Sequence, residues 1–420
     1  MGSTFQLIKK YSHVNWALAD QAMVSGVNFL TGILFARYLG IEEFGRFTLV
    51  WMAVLFVNSI QMAMISSPMM SIGPKQAEED SSMYYGAVTL HQLFFASFSS
   101  LILYIGVRVT SFISPMWHIE HLALPLATVG FFFQTQDFLR RYFFSRERQV
   151  AAFVNDAISY LGQIGVLVIL FSVTSLDTAS VLWVIAITSA IAVCMGMLIL
   201  GDIDCRKIRF TEVLLRNWKF SKWITATTLL QWLSGNLFFI VVGNILGAAA
   251  VGILKASQNI IAVTHVLFLG LENIVPPKAS LYFREHGVIA MITYLRKVVF
   301  VGGGATAIIC FLVGLFPELW LGILYGADYL EYGFVLRWFA VIYLLMFFPF
   351  PLRAGLRTLD ATRAIFNSYL LTAIFTVIFS QLMIRYFQLY GFLVGMLIVA
   401  LSNSVCLLYY LIRTIRGHES

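Results

Sequence analysis

One stretch of the sequence carries polar side chains at a regular spacing inside an otherwise apolar run. Between residues 252 and 275, the side chains of one set recur at alternating steps of three and four, which keeps them on one face of a helix. The set consists of Lys255, Gln258, Ala262, His265, Leu269 and Glu272. At 1.5 Å rise per residue its ends lie ~25 Å apart. The stripe therefore predicts a polar path through most of a membrane, basic at the outer end and acidic at the inner end.

Other polar side chains also lie within apolar runs. Inside a membrane such groups are costly, and they usually face a bundle interior or an aqueous cavity. The amides of this kind are Asn28, Asn58 and Gln61, and the carboxylates are Asp20, Asp156 and Glu272. The amides can instead bond to neighbouring helices, and the carboxylates, near predicted cytoplasmic helix ends, can instead pair with basic loops.

Composition identifies the setting of these side chains. Of the 420 residues, 60% are hydrophobic and 12% are charged, and the mean hydropathy is +0.84. A soluble domain carries about 25% charged residues. Because apolar segments near the ~20 residues needed to cross a bilayer recur along the chain, we predict an all-α polytopic membrane protein.

The sequence lacks the motifs of cofactor-dependent and hydrolytic enzymes. The four cysteines show no metal or redox spacing, and no phosphate-binding loop, hydrolase or dinucleotide fingerprint occurs in its required context. We therefore predict a transporter with no catalytic residue, no metal, no cofactor and no nucleic-acid partner. Its energy would come from a proton or sodium gradient, the membrane potential, the substrate or another protein.

Windows of ~19 residues predict twelve transmembrane helices. Their approximate spans are 14–36, 44–71, 84–107, 121–136, 152–172, 179–200, 223–246, 252–275, 293–316, 332–351, 366–387 and 391–412. Alternate loops contain all but six of the 28 Lys and Arg residues, which places both termini in the cytoplasm. The six exceptions are Arg37, Arg46, Arg108, Lys255, Arg337 and Arg385.

The two halves of the chain repeat each other. A shift of 207 residues aligns Leu39-Gly40 with Leu246-Gly247 and Gly45 with Gly252, whereas Asn244 stands where the first half has Arg37. We predict six-helix halves at 1–200 and 223–420, joined by a basic amphipathic cytoplasmic linker at 201–222. Because six spans is an even number, the repeat is parallel, as in transporters whose substrate pathway lies between two rocking halves.

The stretch NFLTGILFARYLGIEEFGRFTL (28–49) resembles the first hairpin of bacterial polysaccharide transporters. These are the O-antigen (Wzx-type) and exopolysaccharide flippases of the multidrug/oligosaccharidyl-lipid/polysaccharide (MOP) exporter superfamily. The shared ARxLGxxxFG pattern consists of Ala36, Arg37, Leu39, Gly40, Phe44 and Gly45. A second similar stretch, FLRRYFFSRERQVAAFVND, covers 138–156. The resemblance extends over the full length of the chain. Its motifs are typical of the family but do not identify the substrate.

This resemblance implies a flippase that moves an undecaprenyl-diphosphate-linked oligosaccharide across the bacterial inner membrane by alternating access, through a cavity between the halves. The cargo would be an O-antigen, exopolysaccharide or capsule repeat unit. Cations would hold the diphosphate: Arg37, Lys255 and Arg337, with Arg140, Arg141 and Arg353 at the cytoplasmic entrance. Polar contacts would come from Asn28, Asn58, Gln61, Gln258 and His265. For Arg37, Lys255 and Arg337 the alternative is snorkelling to the interface.

The resemblance also implies partners, namely membrane lipids, a polysaccharide polymerase and chain-length machinery. Two other functions compete. A cation-coupled multidrug exporter would need a buried carboxylate, and the candidates for ion coupling, Asp20, Asp156 and Glu272, all lie toward cytoplasmic helix ends. An integral-membrane polysaccharide polymerase or ligase would need a sizeable periplasmic loop, and the predicted outer loops are short. The flippase is therefore preferred.

Overall fold

A computed structural model of the chain describes residues 2–113, 117–201 and 209–419. Every regular element in these ranges is a helix. The predicted all-α class is therefore confirmed.

The first half consists of six helices. They are α1 (Gly2–Tyr38), α2 (Gly40–Lys75), α3 (Glu78–Ile113), α4 (Ala123–Ser145), α5 (Gln149–Val173) and α6 (Thr178–Leu198). Two of them contain a π-helical turn, Met62–Ser66 in α2 and Ala157–Leu161 in α5. A π turn inserts one residue into the helical repeat, so the side chains on either side of it lie on different faces.

The second half contributes six long helices, two of which are interrupted, and one short helix, Pro317–Tyr325. The long helices are α7 (Phe210–Ile245), α8 (248–286, broken at 262–263), α9 (287–315), α10 (333–358), α11 (362–387) and α12 (389–419). Helix α10 has two pieces, Gly333–Phe347 and Pro349–Thr358. Proline lacks an amide hydrogen and commonly begins a helix, which accounts for the second piece.

The number of long helices in the described residues agrees with the twelve helices predicted from the sequence. Eight helical stretches in the described residues have the length and composition of a membrane span. Two of these stretches, Thr264–Leu315 and Thr362–Arg416, each join two helices at a non-helical residue, Gly287 and Gln388 respectively. With α1 and α4, and with α8 counted from Ala248, the described chain has twelve long helices.

Two glycines of the repeated sequence make the same turn in both halves. Gly40 is the first residue of α2, directly after the turn from α1, with φ +80°, and Gly247 lies between α7 and α8 with φ +89°. An L-amino acid loses roughly 1–2 kcal/mol in this left-handed region. A β-carbon at either position would meet nothing within 4 Å. The turn therefore requires glycine for its backbone conformation and not for lack of space.

The chain separates into two compact units, residues 1–229 and 230–420, which we call unit 1 and unit 2. The division falls inside α7. The first part of α7 packs within unit 1, where Tyr84 Oη donates to Asn217 Oδ1 at 3.2 Å and His91 Nε2 lies 3.1 Å from the carbonyl oxygen of Phe210. The predicted linker is thus helical from residue 210 and continuous with α7, and its residues 202–208 lie outside the described part of the chain.

Each unit has its own apolar core. In unit 1 the core is strongly aromatic, with Tyr84 and Tyr85 of α3 packed against Phe138, Tyr142 and Phe143 of α4. Because these α4 residues face the core at helical spacing, α4 is held firmly beside α3. This packing fixes the position of Arg140, which lies between Phe138 and Tyr142 in the sequence.

Candidate functional site

Three charged side chains from three different helices meet inside unit 1. Asp20 on α1 and Asp156 on α5 are fully buried, and Arg140 on α4 is 9% exposed. Arg140 Nη2 donates to Asp20 Oδ2 at 2.6 Å, and Arg140 Nε lies 2.7 Å from Asp156 Oδ2. The guanidinium therefore bridges two carboxylates, and we call these three residues the Asp–Arg–Asp cluster.

Neighbouring amides hold the Asp–Arg–Asp cluster in place. Gln136 Nε2 donates to Asp156 Oδ1 at 2.7 Å, and Arg140 Nη2 donates to Gln21 Oε1 at 3.3 Å. Gln136 and Arg140 are four residues apart on α4, so both side chains lie on the same helical face. Asp156 is the last residue before the π turn of α5, which sets the direction of its side chain.

The charges of the Asp–Arg–Asp cluster do not balance. Two ionised carboxylates and one guanidinium leave one negative charge, and the adjacent Asp137–Arg141 ion pair, at 3.0 Å, contributes no net charge. Among the described residues, no donor reaches the buried Oδ1 atom of Asp20. An unbalanced buried charge is unfavourable by several kcal/mol. The arrangement is therefore suited to binding one proton or one small cation.

Unit 2 contains a half-buried cation of a different kind. Lys255 on α8 donates to Gln258 Oε1 at 2.8 Å, and its Nζ lies 5.2 Å from the centre of the Phe239 ring on α7. None of the ion pairs formed by the described residues includes Lys255. A desolvated ammonium group with one amide acceptor favours an anionic ligand.

The polar stripe on α8 is not continuous. The helix ends at Ile261 and a new one begins at Thr264, so the predicted three- and four-residue spacing is interrupted between Gln258 and His265. The His265 ring instead lies 3.3 Å from the hydroxyl of Tyr343 on α10. The structure therefore brings Lys255 and Gln258 together, and Tyr343, which also hydrogen-bonds with Gln258, connects His265 to them.

The last carboxylate of the α8 stripe lies near a base. Glu272 Oε1 is 3.8 Å from Arg357 Nη1, and both side chains are about half exposed. The side chain of Leu269, between His265 and Glu272 in the stripe, lies outside the described part of the molecule.

Several of the other predicted anion-binding cations contact protein groups. Arg337 Nη2 donates to Glu318 Oε1 at 2.9 Å, and the Arg353 guanidinium lies 4.6 Å from the centre of the Phe350 ring. Arg37 is exposed at the end of α1. Arg140 and Arg141 are bound by carboxylates of unit 1. A role of these five arginines in cargo binding stays a prediction.

The predicted amides differ in their surroundings. Gln61 on α2 is buried and donates to Gln92 Oε1 and Ser66 Oγ, both at 3.1 Å. Asn58, one turn earlier, is half-buried, and its Oδ1 has no donor among the described residues. Asn28 on α1 is exposed. Gln61 thus bonds neighbouring groups, whereas Asn58 retains an unused acceptor.

A polar network at the start of α6 was not predicted. Glu43 Oε2, in the first turn of α2, accepts from the Thr178 amide at 3.1 Å and from Thr178 Oγ1 at 2.6 Å, and Glu43 also pairs with Arg46. The spacing of Glu42 and Glu43, four and three residues before Arg46, was the available signal. The network gives a structural role to Arg46, one of the six cations on the predicted outer side.

The same end of α6 has a second cap. Asp177, in the loop before α6, accepts from the Ser180 amide at 2.9 Å and from Ser180 Oγ at 2.6 Å. Burial acts to raise the pKa of Asp177, but the hydrogen bonds from Ser180 outweigh it and leave this pKa below its usual range. Asp177 is therefore a conventional N-cap, which we regard as structural.

Comparison with known proteins identifies the family. Residues 34–334 match the family model described as polysaccharide biosynthesis protein. The chain belongs to this family. The match includes Arg140, Asp156 and Lys255, whereas Asp20 lies before it. A search of curated proteins finds no match.

Solved structures show which fold this polysaccharide biosynthesis family protein has. It is similar to a multidrug resistance MATE family transporter of the MOP superfamily in an inward-facing conformation, with TM-score 0.71, 14% identity and 94% of each chain covered. It is also similar to the lipid II flippase MurJ, with TM-score 0.73, 14% identity and coverage of 94% of this chain and 87% of MurJ.

A third solved structure is also similar to this chain. A MOP superfamily transporter from Pyrococcus furiosus has TM-score 0.60 at 13% identity, with 98% of this chain and 93% of that chain covered. At such low identity these likenesses show the fold alone. The family protein therefore shares the fold of these transporters, and the predicted polysaccharide biosynthesis family is confirmed by the family model.

Proposed function

We propose that this polysaccharide biosynthesis family protein is a flippase for an undecaprenyl-diphosphate-linked oligosaccharide in the bacterial inner membrane. The cargo would be an O-antigen, exopolysaccharide or capsule repeat unit, moved by alternating access. The observation that carries the proposal is Lys255, a half-buried ammonium group without a carboxylate partner among the described residues.

The cargo explains why such a lysine is useful. A diphosphate and its sugars cannot cross hydrocarbon unaided, because each charge and hydroxyl group would lose its hydration. The polyprenyl tail, by contrast, never has to leave the lipid. A transporter therefore needs a cation that binds the diphosphate at membrane depth, and a charge-assisted hydrogen bond of this kind contributes about 1.5–3 kcal/mol.

The fold supports a transporter, and the family name supports the polysaccharide pathway. Among the proteins of similar fold, MurJ is named a lipid II flippase. We infer a cargo of related chemistry for this protein because Lys255 offers a positive site, which suits an anionic cargo better than a cationic drug.

The Asp–Arg–Asp cluster supplies a candidate for energy coupling. Its single excess negative charge, with both carboxylates fully buried, suits uptake of one proton or one sodium ion. Uptake would neutralise the cluster and release would restore its charge, so occupancy would follow an ion gradient across the membrane. We propose that Asp20 and Asp156 couple transport to such a gradient, with Arg140 as the fixed counter-charge.

A complementation experiment tests the cargo assignment. In cells that lack the gene, Lys255→Ala should restore little surface polysaccharide and should leave lipid-linked oligosaccharide on the cytoplasmic side. Lys255→Arg should restore part of the function because it keeps the charge. The matched control is Arg385→Ala, which removes an exposed cation at the end of α11. Normal surface polysaccharide with Lys255→Ala, at normal protein level, would contradict the assignment.

A cation-coupled multidrug exporter is the second candidate. Two fully buried carboxylates, Asp20 and Asp156, favour it, as does the likeness to MATE family structures. The same deletion strain separates the two functions. Drug sensitivity with unchanged lipid-linked intermediates supports the exporter, and accumulated intermediates with unchanged drug sensitivity support the flippase.

A further inference from the structure

Unit 2 contains a groove of about 540 Å³ between α8 and α9. Polar side chains line one end of the groove, with Lys278 and Tyr282 on α8 facing Tyr294 and Lys297 on α9. The other end is lined by apolar side chains of the same two helices. The groove is therefore amphiphilic, because it is charged at one end and apolar along the rest.

The length of the apolar part matches one leaflet of a membrane. On α8 it runs from Lys278 back to Leu267, which are eleven residues apart, or ~16 Å at 1.5 Å rise per residue. On α9 it runs from Lys297 to Ala305, or ~12 Å. Half of a ~30 Å hydrocarbon core is ~15 Å. An acyl chain that follows the groove would therefore reach about the bilayer midplane from the level of the lysines.

The charged end of the groove lacks a balancing anion. Both lysines are exposed, and neither belongs to an ion pair in the described residues. The one carboxylate in the lining, Glu285, pairs with Arg284 at 3.4 Å. Two lysines that share a groove repel each other unless an anion lies between them. The electrostatic complement of this site is a phosphate group.

Tyr282 and Tyr294 also indicate that this end of the groove lies at the level of the lipid headgroups. Their rings stack with centres 5.0 Å apart and planes 20° apart, beside the lysines. Tyrosine is enriched where hydrocarbon meets water, because its ring is apolar and its hydroxyl is polar. Basic pockets between transmembrane helices bind anionic lipid headgroups. The tyrosine pair therefore marks the same depth as the phosphate site.

We propose that this groove binds one anionic phospholipid, with its phosphate between Lys278 and Lys297 and one acyl chain against Leu271 and Val301. The bound lipid belongs to the leaflet on the lysine-rich side, which the distribution of Lys and Arg assigns to the cytoplasm. The site does not depend on the proposed cargo. Because α8 also carries Lys255, the groove links the lipid composition of the membrane to the helix with the candidate cargo site.

Native mass spectrometry of the purified full-length protein tests the site. The probes are phosphatidylglycerol, phosphatidylcholine, inorganic phosphate and undecaprenyl phosphate, each titrated separately and in competition. One lysine near a lipid phosphate contributes about fivefold in affinity, so Lys278→Ala with Lys297→Ala should weaken phosphatidylglycerol binding by about 25-fold. The matched control, Lys219→Ala with Lys222→Ala, removes two exposed lysines of α7 and should change binding by less than twofold.

A further variant tests the apolar part of the groove separately. Val301 is 66% exposed, so Val301→Trp should fill the groove without disturbing the core, and it should weaken lipid binding while both lysines remain. Equal binding of phosphatidylcholine, displacement of the lipid by millimolar inorganic phosphate, or an unchanged affinity in the double lysine variant would each overturn the proposal. Binding of undecaprenyl phosphate without binding of phosphatidylglycerol would also overturn it, because the occupant would then be the carrier lipid.

Discussion

The Asp–Arg–Asp cluster makes a prediction in which two substitutions at the same site have opposite consequences. Arg140→Met leaves Asp20 and Asp156 buried without their shared counter-charge, which changes the net charge of the cluster from −1 to −2. Asp156→Asn changes it from −1 to zero and retains the Asp20–Arg140 ion pair at 2.6 Å. We expect Arg140→Met to destabilise the protein strongly and Asp156→Asn to leave it as stable as the wild type, or more stable.

The geometry gives the size of the effect. Both carboxylates lie within 3 Å of the same guanidinium, so they are close neighbours. Two like charges about 5 Å apart repel by about 3 kcal/mol at an effective dielectric constant of 20. Removal of one partner from a buried ion pair costs about 3–5 kcal/mol, which agrees with this figure. We therefore expect Arg140→Met to lower the free energy of unfolding by at least ~3 kcal/mol.

Equilibrium unfolding in mixed detergent micelles, followed by intrinsic fluorescence, measures the effect. The comparison variant is Arg141→Met, which leaves one buried carboxylate, Asp137, without its ion-pair partner where Arg140→Met leaves two, and which should therefore lower stability by less than Arg140→Met does. The triple variant Arg140→Met with Asp20→Asn and Asp156→Asn removes all three charges and should recover most of the lost stability. The reasoning is refuted if Asp156→Asn is as damaging as Arg140→Met, or if Arg140→Met matches Arg141→Met.

Three other substitutions test local features of the fold by the same unfolding measurement. Gly247→Ala places a side chain at φ +89° and should lower stability by about 1–2 kcal/mol, and a wild-type value would show that the turn relaxes. Glu43→Ala removes two hydrogen bonds to Thr178 at the start of α6 and should lower stability by about 1–2 kcal/mol, so no change would mean that water replaces the carboxylate. Gly391→Ala should be the most damaging of the three, because its β-carbon would overlap the backbone carbonyl of Met383, and normal expression and stability would contradict that close approach.

The glycine turns show how much of the fold the sequence determines. The repeated Leu-Gly pairs at 39–40 and 246–247 predicted equivalent hairpins, and both glycines have the positive φ that only glycine adopts without strain. The approximate spans of the helices also follow from the sequence, because ~20 apolar residues and a turn signal are local properties. Breaks such as the one at 262–263 were not predicted, since the residues around them have ordinary helical composition.

The candidate sites were harder to predict from the sequence than the helices. Asp20, Arg140 and Asp156 were each noticed as ionisable groups near membrane spans, yet their association depends on how α1, α4 and α5 pack against one another. Helical periodicity describes one helix at a time and contains no information about which faces of distant helices meet. The groove between α8 and α9 could not be predicted for the same reason, since Lys278 and Lys297 lie on two helices on either side of the turn at Gly287.

Leaflet exchange in reconstituted liposomes tests the central claim most directly. The measurement uses a fluorescent undecaprenyl-diphosphate oligosaccharide, an impermeant quencher and an imposed proton or sodium gradient, with the wild type compared to Lys255→Ala. The account predicts that the wild type exposes inner-leaflet cargo to the quencher faster under a gradient and that Lys255→Ala loses most of this rate. Exchange at the protein-free rate by the wild type, or equal exchange by Lys255→Ala and the wild type, would contradict it.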